Sequence, residues 1–237
     1  MVVPRLVERS IHIEKNCFCC GKMNLMIAIV DYGMGNIRSV EKGFLKVGAD
    51  VRITADPKII ADANGIVLPG VGAFRDCMAN LDKLNLIDVI LNEINKGKPF
   101  LGICLGLQLL FTESEEFGSC RGLDLFPGKV IRFNFDHPRA DQERLKIPHM
   151  GWNTAKIEKR PPILAEVPDN AYFYFVHSFY VVPADDGIIA AKTEYGIDFC
   201  SMVWKDNIFA TQFHPEKSQE TGLKVLKGFS SFAAGSR

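Results

Sequence analysis

Long apolar runs are missing from this chain. Stretches such as "IAIV" and "GIVLPG" fall far short of the roughly 18–20 consecutive apolar residues that a bilayer-spanning helix needs, so no integral membrane protein is expected. An excess of charge is missing too: 28 Lys and Arg stand against 28 Asp and Glu, and no segment is dominated by basic residues. The electrostatic footprint of a nucleic-acid binder is therefore absent, and nucleic acid is not an expected partner. The seven cysteines have no paired metal-ligand spacing, and their odd number argues against a complete disulfide framework. A reducing, cytoplasmic setting fits them, with no metal and no cofactor. Repeats, low-complexity tracts and a linker long enough to divide the chain are also lacking.

What is present is 237 residues, 47% of them apolar, enough for one substantial core. Residues 1–22 read differently from the rest. Arg5, Glu8, Arg9, Glu14 and Lys15 interrupt any apolar core a secretion signal would require, and "CFCC" (Cys17, Cys19, Cys20) has no second ligand pair nearby. These residues are expected to be a poorly packed extension, with residues 23–237 forming the domain.

From Met23 onward, apolar strand patterns alternate with helical ones. "LMIAIV", "DVRIT", "GIVLPG" and "KPFLGI" read as strands. A helix is expected to open at the N-cap residue Asn36 and stop at Gly48, a short one to start at Pro57, and two more to cover Arg75 to Lys96. That order implies a parallel sheet covered on both faces. The second half is strand-rich ("KVIRF", "WNTAKIE", "AYFYFVHSFYVV", "GIIAAKT", "FCSMVW", "IFATQF") and closes with the helix "TGLKVLKGFSSFAA". The expected fold is α/β, a mostly parallel, flavodoxin-like central sheet with antiparallel strands added in the C-terminal half. The piece from Phe135 to Met150 is the longest loop candidate.

Three segments carry chemistry. In "FLGICLGLQLLF", Cys104 lies where a strand turns into a helix, and ligands of open parallel sheets bind at the carboxyl ends of strands. A lone cysteine in an apolar stretch is usually core. Here, however, Gly102 and Gly106 give the G-x-C-x-G spacing of a nucleophile elbow, and a thiol at a helix start is placed to feel the helix dipole. In "FHPEKS", proline between His214 and Glu216 disfavours helix, and in extended chain residues two apart project to the same side. Glu216 is thus placed to orient the imidazole of His214, which can take the thiol proton and later protonate a leaving group. In "PGVGAF", a glycine loop ending a strand can offer N–H groups to an oxyanion: Val71 or Gly72 would supply one and Leu105 the other.

The cysteine elbow, the glycine loop and the distal H-P-E, in this order on an alternating fold, closely resemble the class I (triad) glutamine amidotransferase family. The resemblance spans essentially Met23 to Phe232. It implies that Cys104 attacks the side-chain amide of glutamine, that a glutamyl thioester forms and that water releases glutamate. Several stretches resemble more narrowly the glutaminase subunits of imidazole glycerol phosphate synthases: "IVDYGMGNIRSV", "LPGVGAFRDCM", "GICLGLQLLF" through "ESEEFG", "PHMGWN", "YFVHSFYV" and "FHPEKS".

This narrower resemblance implies that Gln108 and Glu116 hold the substrate, with Glu116 at its α-amino group, and that backbone at Gly72, Ser178 and Phe179 lines the pocket. It places Met150, Trp152 and Asn153 against a cyclase subunit of (β/α)₈-barrel fold, with Tyr174, His177 and Lys217 near that boundary. An acceptor on another chain is expected for a second reason, since the glutaminase fold accounts for these residues and leaves none for a domain that would use the ammonia. Low activity in isolation and strong activation by the cyclase are expected. A paralogous triad glutaminase serving another acceptor enzyme, such as a sugar amidotransferase, would keep both "DYGMGN" and "PHMGWN".

Overall fold

A computed structural model describes residues 25–135 and 145–235. The expectation for residues 1–22, and most of the loop after Phe135, lie outside the described residues.

The elements in chain order are β1 (Met26–Val30), α1 (Ile37–Lys46), β2 (Asp50–Thr54), α2 (Pro57–Asp62), β3 (Gly65–Gly70), α3 (Phe74–Lys83), α4 (Ile87–Asn95) and β4 (Phe100–Cys104). A single helical turn, α5 (Leu105–Gln108), is followed by β5 (Phe111–Ser114), β6 (Cys120–Arg121), β7 (Phe126–Arg132), β8 (His149–Ile157), β9 (Ala171–His177) and β10 (Phe179–Pro183). The chain finishes with β11 (Ile189–Glu194), β12 (Asp198–Lys205), β13 (Ile208–Thr211) and α6 (Gln219–Gly235).

The main sheet runs β2-β1-β3-β4-β13-β12-β10-β7-β5-β6, with β11 branching from β12 to carry β8 and then β9. The strands from β2 to β13 pair in parallel, and β12, β10 and β7 continue antiparallel. Strands β3 and β4 are buried along their whole length, which is why they read as continuous apolar runs rather than as alternation. One face of the sheet packs Phe74, Leu81, Leu86 and Ile90 from α3 and α4. The other packs Val40 and Phe44 of α1 against Val225, Leu226 and Phe229 of α6. This is the mostly parallel α/β sheet with antiparallel additions that the sequence predicts.

The local departures have physical reasons. Asn36 occupies the N-cap of α1 but makes no side-chain cap hydrogen bond, whereas Asp56 caps α2 by accepting from the Lys58 N–H at 2.8 Å. The helix expected after Cys104 stops after four residues, and the apolar run continues as β5. Periodicity alone does not distinguish helix from strand in so short an apolar run. "AYFYFVHSFYVV" divides into two strands at Ser178.

All of the chemistry sits at one edge. The carboxyl ends of β3, β4 and β13 lead into the glycine loop, Cys104 and His214 respectively, and β4 lies between the other two. Open α/β sheets bind ligands outside the carboxyl ends of their strands.

Candidate active site

Cys104 closes β4 and stands at the N-cap of α5 with φ 56° and ψ −108°. A non-glycine residue in that region stores strain, on the order of 1–3 kcal/mol, which the surroundings must hold in place. They do so by close backbone approach. A Cβ on Gly106 would lie 2.0 Å from the Leu68 carbonyl oxygen, and one on Gly102 would lie 2.7 Å from the Gly106 oxygen. Glycine at both positions lets β3, β4 and the turn touch and pushes the thiol out of the sheet. The dipole expected from a helix at this point is small, because α5 has only four residues. Thiolate stabilisation therefore falls to the groups around the sulfur.

The first of these is His214. Its Nδ1 is 2.8 Å from Glu216 Oε1, and both side chains are almost wholly buried. Burial alone would push the imidazole down, but the Cys104 thiolate beside it, together with Glu216, raises it to about 10. Its Nε2 is buried with no hydrogen-bond partner among the described residues, which leaves it for the thiol and the substrate. The second group is Gln212, whose Nε2 donates to Cys104 Sγ at 3.6 Å.

A cavity of about 380 Å³ opens over the sulfur, lined by Val71, Gly72, Leu105, Gln108, Glu116 and His214, with Ser178 and Phe179 on its far wall. It suits a ligand of amino-acid size. The glycine loop is pinned from below: Tyr32 donates its hydroxyl to the Pro69 oxygen at 2.8 Å, and Cys77 Sγ lies 3.7 Å from the Val71 oxygen. Carbonyl and N–H of one peptide point in opposite directions, so the Gly72 N–H is turned away from Cys77 and the core. Glu116 Oε2 accepts the Phe74 N–H at the start of α3 at 2.7 Å, and Gln108 Nε2 donates to the Phe179 oxygen at 3.0 Å. Cys104, His214 and all of the expected pocket residues thus meet in one cavity, with Glu216 behind the imidazole.

The expected partner-facing residues divide. Met150 (61% exposed) and Trp152 (46% exposed) share the outer face of β8, and Trp152 meets Tyr174 edge-on at 6.1 Å between centroids. Lys217 Nζ lies 5.8 Å from the Tyr174 ring centroid, extending the row. Core packing of Trp152, the ordinary fate of a scarce tryptophan, is not what is found. Asn153 alternates to the other side of the strand, with Nδ2 3.3 Å from His149 Nε2. His177, expected near a boundary, is buried and lines the cavity instead.

Sequence reasoning missed Gln212, Tyr32, Cys77 and His149. Gln212 carried a usable signal, since it lies two residues before His214 in an extended segment and so projects to the same side.

The sequence profile described as class-I glutamine amidotransferase matches residues 28–230. The chain belongs to the class I glutamine amidotransferases. Its activity is that of a glutaminase. Among curated relatives it is 59% identical to the imidazole glycerol phosphate synthase subunit HisH of Geobacter sulfurreducens, covering 86% of this chain and 97% of that one. It is 50% identical to the protein of the same name from Methanothermobacter thermautotrophicus, covering 86% and 97%. Among solved structures, PurLQS from Thermotoga maritima aligns with a TM-score of 0.68 at 19% identity, covering 89% of this chain and 99% of that one. The glutaminase domain of Trypanosoma brucei CTPS with bound acivicin aligns with a TM-score of 0.63 at 18% identity, covering 90% and 95%. These two structures share the fold.

Proposed function

We infer that this chain is the glutaminase subunit of an imidazole glycerol phosphate synthase, producing ammonia for a separate cyclase subunit of (β/α)₈-barrel fold in histidine biosynthesis. The observation that carries the reading is the joining of two features on one wall of the molecule. The cavity over Cys104 and His214 opens beside a row formed by the exposed Met150 and Trp152 and the half-buried Tyr174 and Lys217, the kind of surface a partner covers. The identity with the named relatives supports the same assignment. The four free cysteines among the described residues suit a reducing, cytoplasmic setting.

The geometry supports a two-stage reaction. Glutamine enters with its α-ammonium toward Glu116 and its amide over Cys104. The thiolate attacks the amide carbon and forms a C–S bond, while the carbonyl electron pair moves to oxygen. N–H groups of the Val71–Gly72 loop and of Leu105 receive that oxyanion. As the carbonyl re-forms, the C–N bond breaks, and the proton on His214 Nε2 goes to the departing nitrogen, giving ammonia. The neutral imidazole then takes a proton from water, which attacks the thioester. Glutamate leaves and the thiolate–imidazolium pair is restored. Glu216 holds the ring throughout and stabilises its positive charge whenever Nε2 is protonated.

The test is glutamate release from glutamine by the purified chain, alone and with a cyclase subunit and its nucleotide ligand. Strong stimulation is expected. Steady basal hydrolysis that the cyclase leaves unchanged would point to another acceptor, such as a sugar-amidating enzyme.

A further inference from the structure

Behind the triad, a line of buried polar groups runs from the edge of β8 to the sulfur, and chemistry fixes the direction of every hydrogen bond along it. Phe179 O can only accept, so the His177 Nδ1 lying 2.8 Å from it carries a hydrogen. Burial pushes His177 down to about 3 and His149 to about 4, so both rings are neutral. His177 Nε2 is then an acceptor, and His149 Nδ1, 3.0 Å away, must donate to it. His149 Nε2 is left as an acceptor for Asn153 Nδ2, whose other hydrogen goes to the Glu194 oxygen at 2.8 Å. Asn153 Oδ1 accepts from the Thr154 N–H, so this amide has only one orientation.

Toward the nucleophile the logic repeats. Gln108 Nε2 donates both hydrogens, one to Phe179 O and one to Gln212 Oε1, each at 3.0 Å. This fixes Gln108 Oε1 as the atom its amide can present to a ligand. It also turns Gln212 so that its Nε2 donates to Cys104 Sγ. The outer end of the line lies at a second cavity, bordered by His149, Trp152, Asn153, Glu194 and Tyr195, on the strand that carries Met150.

We propose that Gln212 and the His149–His177 pair are positioning residues: they set which atom of Gln108 faces the substrate and supply a fixed donor to the Cys104 thiolate. Without the His149 donor, His177 Nε2 loses its partner and the ring its second anchor, so the ring can shift and carry with it the Phe179 carbonyl that its Nδ1–H holds; Gln108 and Gln212 follow. The proposal rests on the glutaminase reading.

The probe is a diazoketone analogue of glutamine, which needs both a formed pocket and a thiolate, with modification of Cys104 followed by peptide mass analysis. Labelling of the wild-type chain tests the glutaminase reading; the order of the variants tests this one. His149 stacks on Tyr195 at 4.0 Å and on Phe175 at 4.9 Å between centroids, so His149→Phe keeps the packing and loses the donor. His149→Asn loses the rings but keeps an N–H at the Nδ1 position. The relay predicts that His149→Phe labels roughly tenfold more slowly than the wild type and more slowly than His149→Asn. A packing role predicts the opposite order, and that order overturns the proposal.

Gln212→Glu gives an independent reading. The carboxylate still accepts from Gln108 but cannot donate to sulfur and adds a negative charge beside it, so the pH midpoint of labelling should rise by at least about one unit. An unchanged midpoint overturns the proposal even if neither His149 variant folds.

Discussion

Gly106 is where the fold and the proposed chemistry meet, and replacing it by alanine measures how tightly the elbow is built. The new methyl would stand 2.0 Å from the Leu68 oxygen, so roughly 1 Å of separation is needed merely to reach the closest contact real Cβ atoms make. Neither side can yield cheaply. Leu68 is fully buried in β3 and registered against Gly102 of β4, and Gly106 lies in the turn that holds Cys104 in its strained conformation. Overpacking against backbone belongs at the upper end of the usual range, about 3 kcal/mol. For a domain of this size, that lowers Tm by roughly 6–12 °C. A displacement of about 1 Å at the nucleophile should cost on the order of 100-fold in glutaminase rate. Gly235→Ala, with nothing within 4 Å of the added methyl, is the control and should move Tm by no more than about 2 °C. Differential scanning calorimetry and glutamate release on the same preparations decide the matter. A Gly106→Ala protein with wild-type Tm and rate would refute the close-approach argument.

Two further predictions follow from the titrating groups. His214 is held protonated up to about 10, so the alkaline fall in glutaminase activity should lie near that pH. Glu216→Gln removes a charge that raises the imidazole and should move the fall to lower pH while reducing kcat, readable in a pH–rate profile; an unmoved alkaline limb would count against the pairing. His149 and His177 are depressed below the ordinary histidine value, so the unfolded chain takes up protons first as pH falls. Stability should therefore decline from about pH 6.5 toward pH 4, with at most about 3 kcal/mol from His149. The Tm of His149→Phe should fall less steeply over that interval, and equal slopes would contradict the neutral, buried assignment.

The parallel half of the fold was legible because its strands are apolar throughout and its helices are punctuated by proline and glycine. The strand "GIVLPG" and the turn at Gly48 were placed correctly from those signals alone. The region after Cys104 was not: the run that becomes one helical turn and then β5 has no period to read, and its division is set by contacts with β7. Cys104, His214 and Glu216 were legible because their spacing fixes a local geometry. The His149–His177 pair was not, because the two residues lie 28 positions apart and only the antiparallel register of β8 and β9 brings them together. Asn153 was read from its neighbours Met150 and Trp152, and strand alternation put it on the opposite side.

Every step of the reaction passes through Cys104 as the nucleophile. The most direct measurement is glutamate release by Cys104→Ala beside the wild type, with folding of both checked by Tm. A folded variant with no release above the buffer background is expected, whereas a folded Cys104→Ala protein that hydrolyses glutamine at the wild-type rate would show that Cys104 is not the nucleophile.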